Sequence, residues 1–410
     1  RDSYVNYIEK MQPLVDYVKE NDTSPFYRME KDIHRKTNDP MSLGFNGISS
    51  STSTLNASVI QLLNRMGYAS KSHWTKYLGA TPVSDALLGI KYLILDDEAE
   101  NDALEKIYTD EEHGYYIYKN PYALSIGYGV SDKINDIEIT DWDSAPEFLN
   151  ELISKMLDDD SCMPFEKLTV IDNDRSGVSV SFTNKHMKYA KSDENINGTV
   201  SYTVRVPKDR EIFLFVPTDY PRECSLNVNG KSYGKVMGNE TDRIISLGRY
   251  ENDTTIRVEF VIDKDPIYIV NDTDLFFALD EDALDTAFNK LAEQNMNVTT
   301  FEDTKIVGTV KTTKERSLLF TSIPYDAGWH VTVDGQKVET IKTLDSLLAI
   351  ELPEGEHEIV MTYLSDAFLY GSIISVCGIA LFAAAIVIDN YRRRRENRIW
   401  AESNSLDNLS

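Results

Sequence analysis

At 410 residues the chain exceeds what one hydrophobic core usually organises, so two or three domains are expected. Lys and Arg number 42 against 67 Asp and Glu, a net charge of −25, which argues against a phosphate-binding surface and so against nucleic acid as a partner. Apolar residues at 41% and aromatics at 10% suffice to build cores, which excludes global disorder.

In chain order, Tyr4, Ile8, Met11, Val15 and Val18 recur at helical spacing through residues 2–21, where Pro13 is predicted to divide two short helices. Residues 26–30 alternate like a strand, 56–66 form an amphipathic helix closed by Gly67, 83–89 a further helix and 91–95 an apolar strand. With strands at 115–119 and 123–128 flanking Asn120-Pro121, residues 1–130 read as an α/β domain. Residues 145–157 add a helix.

Past Pro164 the texture changes to short alternating strands, at 167–171, 178–183, 199–206, 211–216, 225–228 and 255–261. The pattern then repeats. Gly198-Thr199-Val200 recurs as Gly308-Thr309-Val310, and Val228-Asn229-Gly230-Lys231 after Tyr220 recurs as Val333-Asp334-Gly335-Gln336 after Tyr325. Asn-Gly and Asp-Gly supply positive-φ hairpin turns, and 357–363 answers 255–261 as the closing strand. Two tandem β-sandwich modules are therefore expected, a linker helix with the first at 131–265 and a helix with the second at 266–365. The second helix, 282–294, carries Ala283, Ala287 and Leu291 on a face expected to pack on a sandwich edge. The fold class is α+β, mostly β.

Residues 367–388 carry no charge and are long enough to cross roughly 30 Å of hydrocarbon, so 366–389 is predicted to span a bilayer. Arg392, Arg393, Arg394, Arg395 and Arg398 follow, the cationic flank of a cytoplasmic tail at 390–410; residues 1–366 are then extracytoplasmic. Gly371, Ser375 and Gly378 place small side chains on one helix face, where another helix could approach. Arg1 is not Met and no export signal precedes the folded region, so the natural protein is expected to continue upstream with further membrane segments.

Chemistry-bearing patterns are few. The six histidines are scattered, and Cys162, Cys224 and Cys377 allow at most one disulfide, between the first two, and no zinc site. Residues 172–177 imitate an EF-hand loop, but Thr183 stands where a bidentate Glu is required, and a turn is the better reading. No nucleophile elbow, phosphate loop or dinucleotide fingerprint occurs, so no catalytic residue, metal or cofactor is assigned. Two places remain. The hydroxyl-rich loop 44–56 offers Asn46, Ser49, Ser53 and Asn56 to a sugar or phosphate, against a reading as turn plus helix cap. Trp329 could stack on a sugar ring, against a reading as a core or interface tryptophan.

Phe26-Tyr27-Arg28-Met29-Glu30, Asn38-Asp39-Pro40, Gly44-Phe45-Asn46-Gly47-Ile48-Ser49, Leu87-Leu88-Gly89-Ile90-Lys91-Tyr92, Tyr118-Lys119-Asn120-Pro121 and Leu319-Phe320-Thr321-Ser322-Ile323-Pro324-Tyr325-Asp326-Ala327-Gly328-Trp329, in that order, resemble the YfhO family of bacterial membrane proteins. The resemblance implies a multi-pass protein similar to C-type glycosyltransferases, which move a sugar from a polyprenyl-phosphate donor to cell-envelope polymers such as teichoic acid. It also implies catalytic carboxylates in loops between early membrane helices, outside this chain. The partners expected are the bilayer, upstream helices of the same protein, the lipid-linked sugar and the cell-wall polymer. The rival class is a membrane-anchored surface binding or scaffold protein without enzymatic activity. A transport permease would place ionisable residues inside its membrane helices, and this helix has none.

Overall fold

The computed structural model describes residues 2–99, 101, 103–138, 144–183, 185–218, 220–238, 243–271 and 273–407. The chain is mixed α and β with many sheets, and an N-terminal helix precedes the β-rich body.

Helix α1, Asp2–Asn21, runs unbroken through Pro13 instead of dividing there. Proline removes one backbone bond and strains the turn before it, at about 3 kcal/mol. Met11, Leu14, Val15 and Val18 are buried along one face, each worth about 1.5–3 kcal/mol, and Pro13 lies on the exposed face, so packing outweighs the break. This helix covers one side of a four-stranded sheet ordered Arg28–Lys31, Ile90–Leu95, Tyr115–Lys119, Glu105–Asp110, whose first pair is parallel. Helices α2 (Asp39–Leu43), α3 (Ala57–Arg65) and α4 (Pro82–Leu87) complete the domain. Leu62, Leu63, Val83 and Leu87 pack on the sheet's other side.

The duplication is present at the level of strand order. One five-stranded sheet runs Val170–Ser176, Gly198–Val206, Thr254–Ile262, Cys224–Val228, Lys231–Val236; the other runs Asn297–Glu302, Lys305–Thr312, Gly355–Tyr363, Trp329–Val333, Gln336–Val338. Asn229 and Asp334 take φ of 48° and 52° in the matching hairpins. Asn229 Oδ1 accepts from Arg257 N at 2.8 Å and Asp334 Oδ1 from Glu358 N at 2.9 Å, one hydrogen bond made twice. Residues 172–176, read from sequence as a turn, belong to the strand Val170–Ser176, and the bend comes at Gly177.

Each five-stranded sheet shares a core with a four-stranded one, and here the two repeats exchange material. Gly127–Val130, expected in the N-terminal domain, pairs instead with Leu318–Pro324 of the second repeat. The chain then forms α5 (Ala145–Leu157) and enters the first repeat, where Phe165–Lys167 pairs with Phe276–Leu279. From Phe276–Leu279, which also pairs with Arg210–Leu214, it forms α6 (Glu281–Ala292) and returns to the second repeat, bridging Asn295 to Tyr128. Helices α5 and α6 thus cross between the repeats in opposite senses. Leu284, Ala287, Phe288 and Leu291 of α6 are buried with Phe148, Leu149, Leu152 and Ile153 of α5 in the largest core, not against a sandwich edge.

Helix α7, Asp366–Asp407, follows two residues after the last strand and runs through the arginine cluster. Among the described residues it is the one helix long and apolar enough to cross a membrane, and none of its apolar span is covered by the rest of the chain. Cys162 and Cys224 are free and buried in different cores, which closes the question of a disulfide between them.

Candidate functional site

The loop at 44–56 is held from inside the N-terminal domain by the strand Arg28–Lys31, in which Met29, Glu30 and Lys31 have no exposed surface. Glu30 Oε1 accepts from Ile48 N and Ser49 N, both at 2.7 Å, and Oε2 from Ser49 Oγ at 3.2 Å. Met29 N donates to Asn46 O at 2.8 Å, so the loop adds to the strand by its backbone. Burial dominates these bonds and pushes the Glu30 carboxyl up to about 7.

The polar chain continues inward. Tyr77 N donates to Ser49 Oγ at 2.9 Å, and the Tyr77 and Tyr68 hydroxyls donate to Asp85 at 2.7 and 2.9 Å. Asp85 is likewise pushed up to about 7 by burial. Lys31 Nζ meets Asp39 at 3.0 Å, both side chains fully buried, and Asp39 also accepts from Tyr7 Oη at 2.9 Å and Arg35 N at 2.8 Å. Burial works to raise Asp39, but the bonds it accepts outweigh that and hold it below its ordinary value. Arg28 donates to Leu88 O at 2.5 Å, Ser322 Oγ at 2.8 Å and Ser322 O at 3.1 Å. One guanidinium therefore ties together three of the segments that carry the family resemblance.

The five candidate residues separate by environment. Ser49 is buried and committed to Glu30 and Tyr77. Asn56 caps α3, accepting from Ser58 N at 2.9 Å and Val59 N at 3.4 Å. Asn46 and Ser53 are exposed, and neither side chain has a hydrogen-bond partner among the described residues. Trp329 lies outside the loop, in the second repeat; half-buried, it packs on that repeat's core with its ring 5.1 Å from that of Tyr363, its strand partner.

A cleft of about 490 Å³ opens beside the loop, lined by Lys19, Asp22, Phe26, Tyr27, Phe45 and Asn46. Asp22 is engaged by Lys91 at 2.6 Å and by the Tyr92 hydroxyl at 2.9 Å. The Phe26 ring lies 4.4 Å from that of Phe301, which pairs with Ile306 and through it with Met361, five residues before α7 begins. At about 3.3 Å per strand residue and about 4.8 Å between strands, Phe301 stands roughly 20 Å from where the chain turns into that helix. Among the described residues, no three His, Cys, Asp or Glu side chains are grouped to hold a metal ion.

The sequence missed Glu30, Asp85 and Tyr77 as the loop's supports. The available signal was Arg28, Glu30 and Lys31 in one short strand bounded by aromatics, since charge in a buried strand requires partners.

The profile of the family described as bacterial membrane protein YfhO matches residues 1–375. No curated protein matches the chain. Among solved structures, a conserved protein of unknown function from Pseudomonas aeruginosa PAO1 is 11% identical over 48% of this chain and 92% of its own, with a TM-score of 0.13. A GH2 beta-galacturonidase from Eisenbergiella tayi bound to glycerol is 12% identical over 50% of this chain and 38% of its own, with a TM-score of 0.17. Likenesses of that degree support no conclusion about fold or activity.

Proposed function

Because the chain belongs to the YfhO family of bacterial membrane proteins, we propose that it forms the extracytoplasmic, non-catalytic part of a membrane glycosyltransferase. The transferase takes sugar from a polyprenyl-phosphate carrier and modifies a cell-envelope glycopolymer such as teichoic acid. In this reading residues 1–366 lie outside the membrane, the tail lies in the cytoplasm, and this part of the protein guides donor or acceptor to carboxylates elsewhere.

The observation that carries the reading is the cleft beside Asn46. It combines aromatic faces for a sugar ring with an amide and an ammonium, and it lies roughly 20 Å or more from the point where the chain turns into the membrane helix. Of the four loop candidates, Asn46 and Ser53 are exposed and unengaged, with Asn46 lining the cleft, so they are the ones proposed to meet ligand, whereas Ser49 and Asn56 shape the loop. Replacing Asn46 and Ser53 together with Ala in the full-length protein is expected to lower glycan transfer severalfold with the melting temperature unchanged. Transfer at the wild-type rate from an equally stable variant would assign the loop to folding alone.

A further inference from the structure

The N-terminal domain and the first repeat meet over a cavity of about 470 Å³, within the range of small-molecule sites, which favour such domain junctions. The junction is closely fitted. Ile244 N donates to Gly67 O at 2.9 Å, and Gly67, at φ 96°, has no room for a side chain because a Cβ would fall 2.3 Å from Ile244 Cδ1. Gly79, at φ 89°, is pressed against Gly67 O and the Arg243 Cβ in the same way.

Arg243 lines this cavity from the repeat's side. It is half-buried, and burial holds its pKa below the ordinary guanidinium value. Among the described residues it has no ion pair or hydrogen bond. The other sheltered arginines are satisfied: Arg28 by Leu88 and Ser322, Arg210 by Asp280 at 3.0 Å, Arg249 by Asp209 at 2.8 Å. A guanidinium withdrawn from water is costly unless it meets an anion, and its planar fork suits phosphate or carboxylate. The acidic wall is of opposite character. Asp32, Asp85 and Glu98 from the N-terminal domain and Glu211 from the repeat supply carboxyl groups for the rest of a ligand, its hydroxyls, while Asp97 stands apart on the exposed rim. Tyr77 and Tyr233 add aromatic surface.

We propose that this junction cavity binds a small polyhydroxy anion, a sugar carrying one phosphate or carboxylate, with the anionic group on Arg243 and the hydroxyls on the acidic wall. This site is separate from the cleft beside Asn46 and does not rest on the transferase reading. The same chemistry is offered by a free sugar phosphate or uronate and by a unit of an anionic polymer.

The test uses the full chain in nanodiscs, titrated calorimetrically with glucose 6-phosphate, glucuronate, neutral glucose and a short poly(glycerol phosphate). A sugar anion is expected to bind at least tenfold more tightly than glucose. Arg243→Gln is expected to weaken it by tenfold or more, the scale of one charge-assisted hydrogen-bonded contact. Asp97→Asn, exposed on the rim, removes a repulsive charge and is expected to tighten binding about threefold at low salt, a gain that misfolding cannot produce. Preference for the monosaccharides supports the free source, and preference for the polymer supports the bound one. Failure of every probe to bind, or affinities unmoved in both variants, overturns the proposal.

Discussion

Glu30 and Asp85 titrate near 7 in the folded chain because burial penalises their charged forms, whereas the unfolded chain ionises both near 4. The folded state therefore holds protons that the unfolded state has released. Their contribution is full below about pH 4 and is lost as pH rises through 7, by up to roughly 3–4 kcal/mol for each group. Carboxylates held below their ordinary range, such as Asp39, act below pH 4 and leave this window untouched. His34, held down to about 4 by burial, works the other way only up to about pH 6.5, so the melting temperature is expected to fall between about pH 6.5 and pH 8, and Glu30→Gln should flatten that slope. A melting temperature that rises over this interval would refute the assignment. Asp39→Ala, which strands the Lys31 ammonium in the interior, is expected to cost about 3–5 kcal/mol in chemical denaturation, against less than about 1 kcal/mol for loss of the exposed Arg205–Asp253 pair. Beyond the charged strand set between aromatics, this was not legible in the sequence, because a buried ion pair and a solvated one are written with the same letters. What sequence did offer, the polar loop at 44–56, proved half structural: Ser49 and Asn56 are consumed by the fold, and Asn46 and Ser53 face water.

Among the elements, those with strong local chemistry were readable and those decided by remote partners were not. The helix at 145–157 and the strand at 115–119 match the observed elements residue for residue, since each has unbroken periodicity and clear boundaries. The twin hairpins were legible from Asn-Gly and Asp-Gly, whose positive φ is a local demand. Pro13 misled because its cost is local and visible, while the core that outweighs it comes from strands far along the chain. The strand Gly127–Val130 was expected at 123–128 and within the N-terminal domain, for pairing across nearly 200 residues leaves no local trace. Helix α7 makes a sharp prediction at this scale: in the proposed topology, with the arginines Arg392 to Arg395 on the cytoplasmic side, an epitope after Ser410 should resist protease on intact cells. Digestion of the epitope would reverse the assigned topology.

At the scale of the molecule, the repeats are two copies that do not close separately. Each four-stranded sheet includes a strand that leads into the other repeat: Gly127–Val130 in the second, Phe276–Leu279 in the first. A fragment spanning 131–265 lacks Phe276–Leu279, and one spanning 266–365 lacks Gly127–Val130. Each is expected to be digested rapidly by protease, while 1–365 resists. The two repeats are also expected to unfold in one calorimetric transition, since α5 and α6 share one core between them.

That exchange has a consequence for how the protein is made. In the proposed topology residues emerge from an export channel in order, and Gly127–Val130 must wait for Leu318–Pro324, about 190 residues later, before its partner exists. At roughly 5–20 residues per second the wait is about 10–40 s, during which an apolar segment and an open sheet edge meet the envelope unprotected. The body is completed less than 50 residues before α7 enters the bilayer. Folding and anchoring thus finish almost together, and a ribosome stalled short of residue 318 leaves a tethered, unfinished body as a substrate for envelope chaperones and proteases.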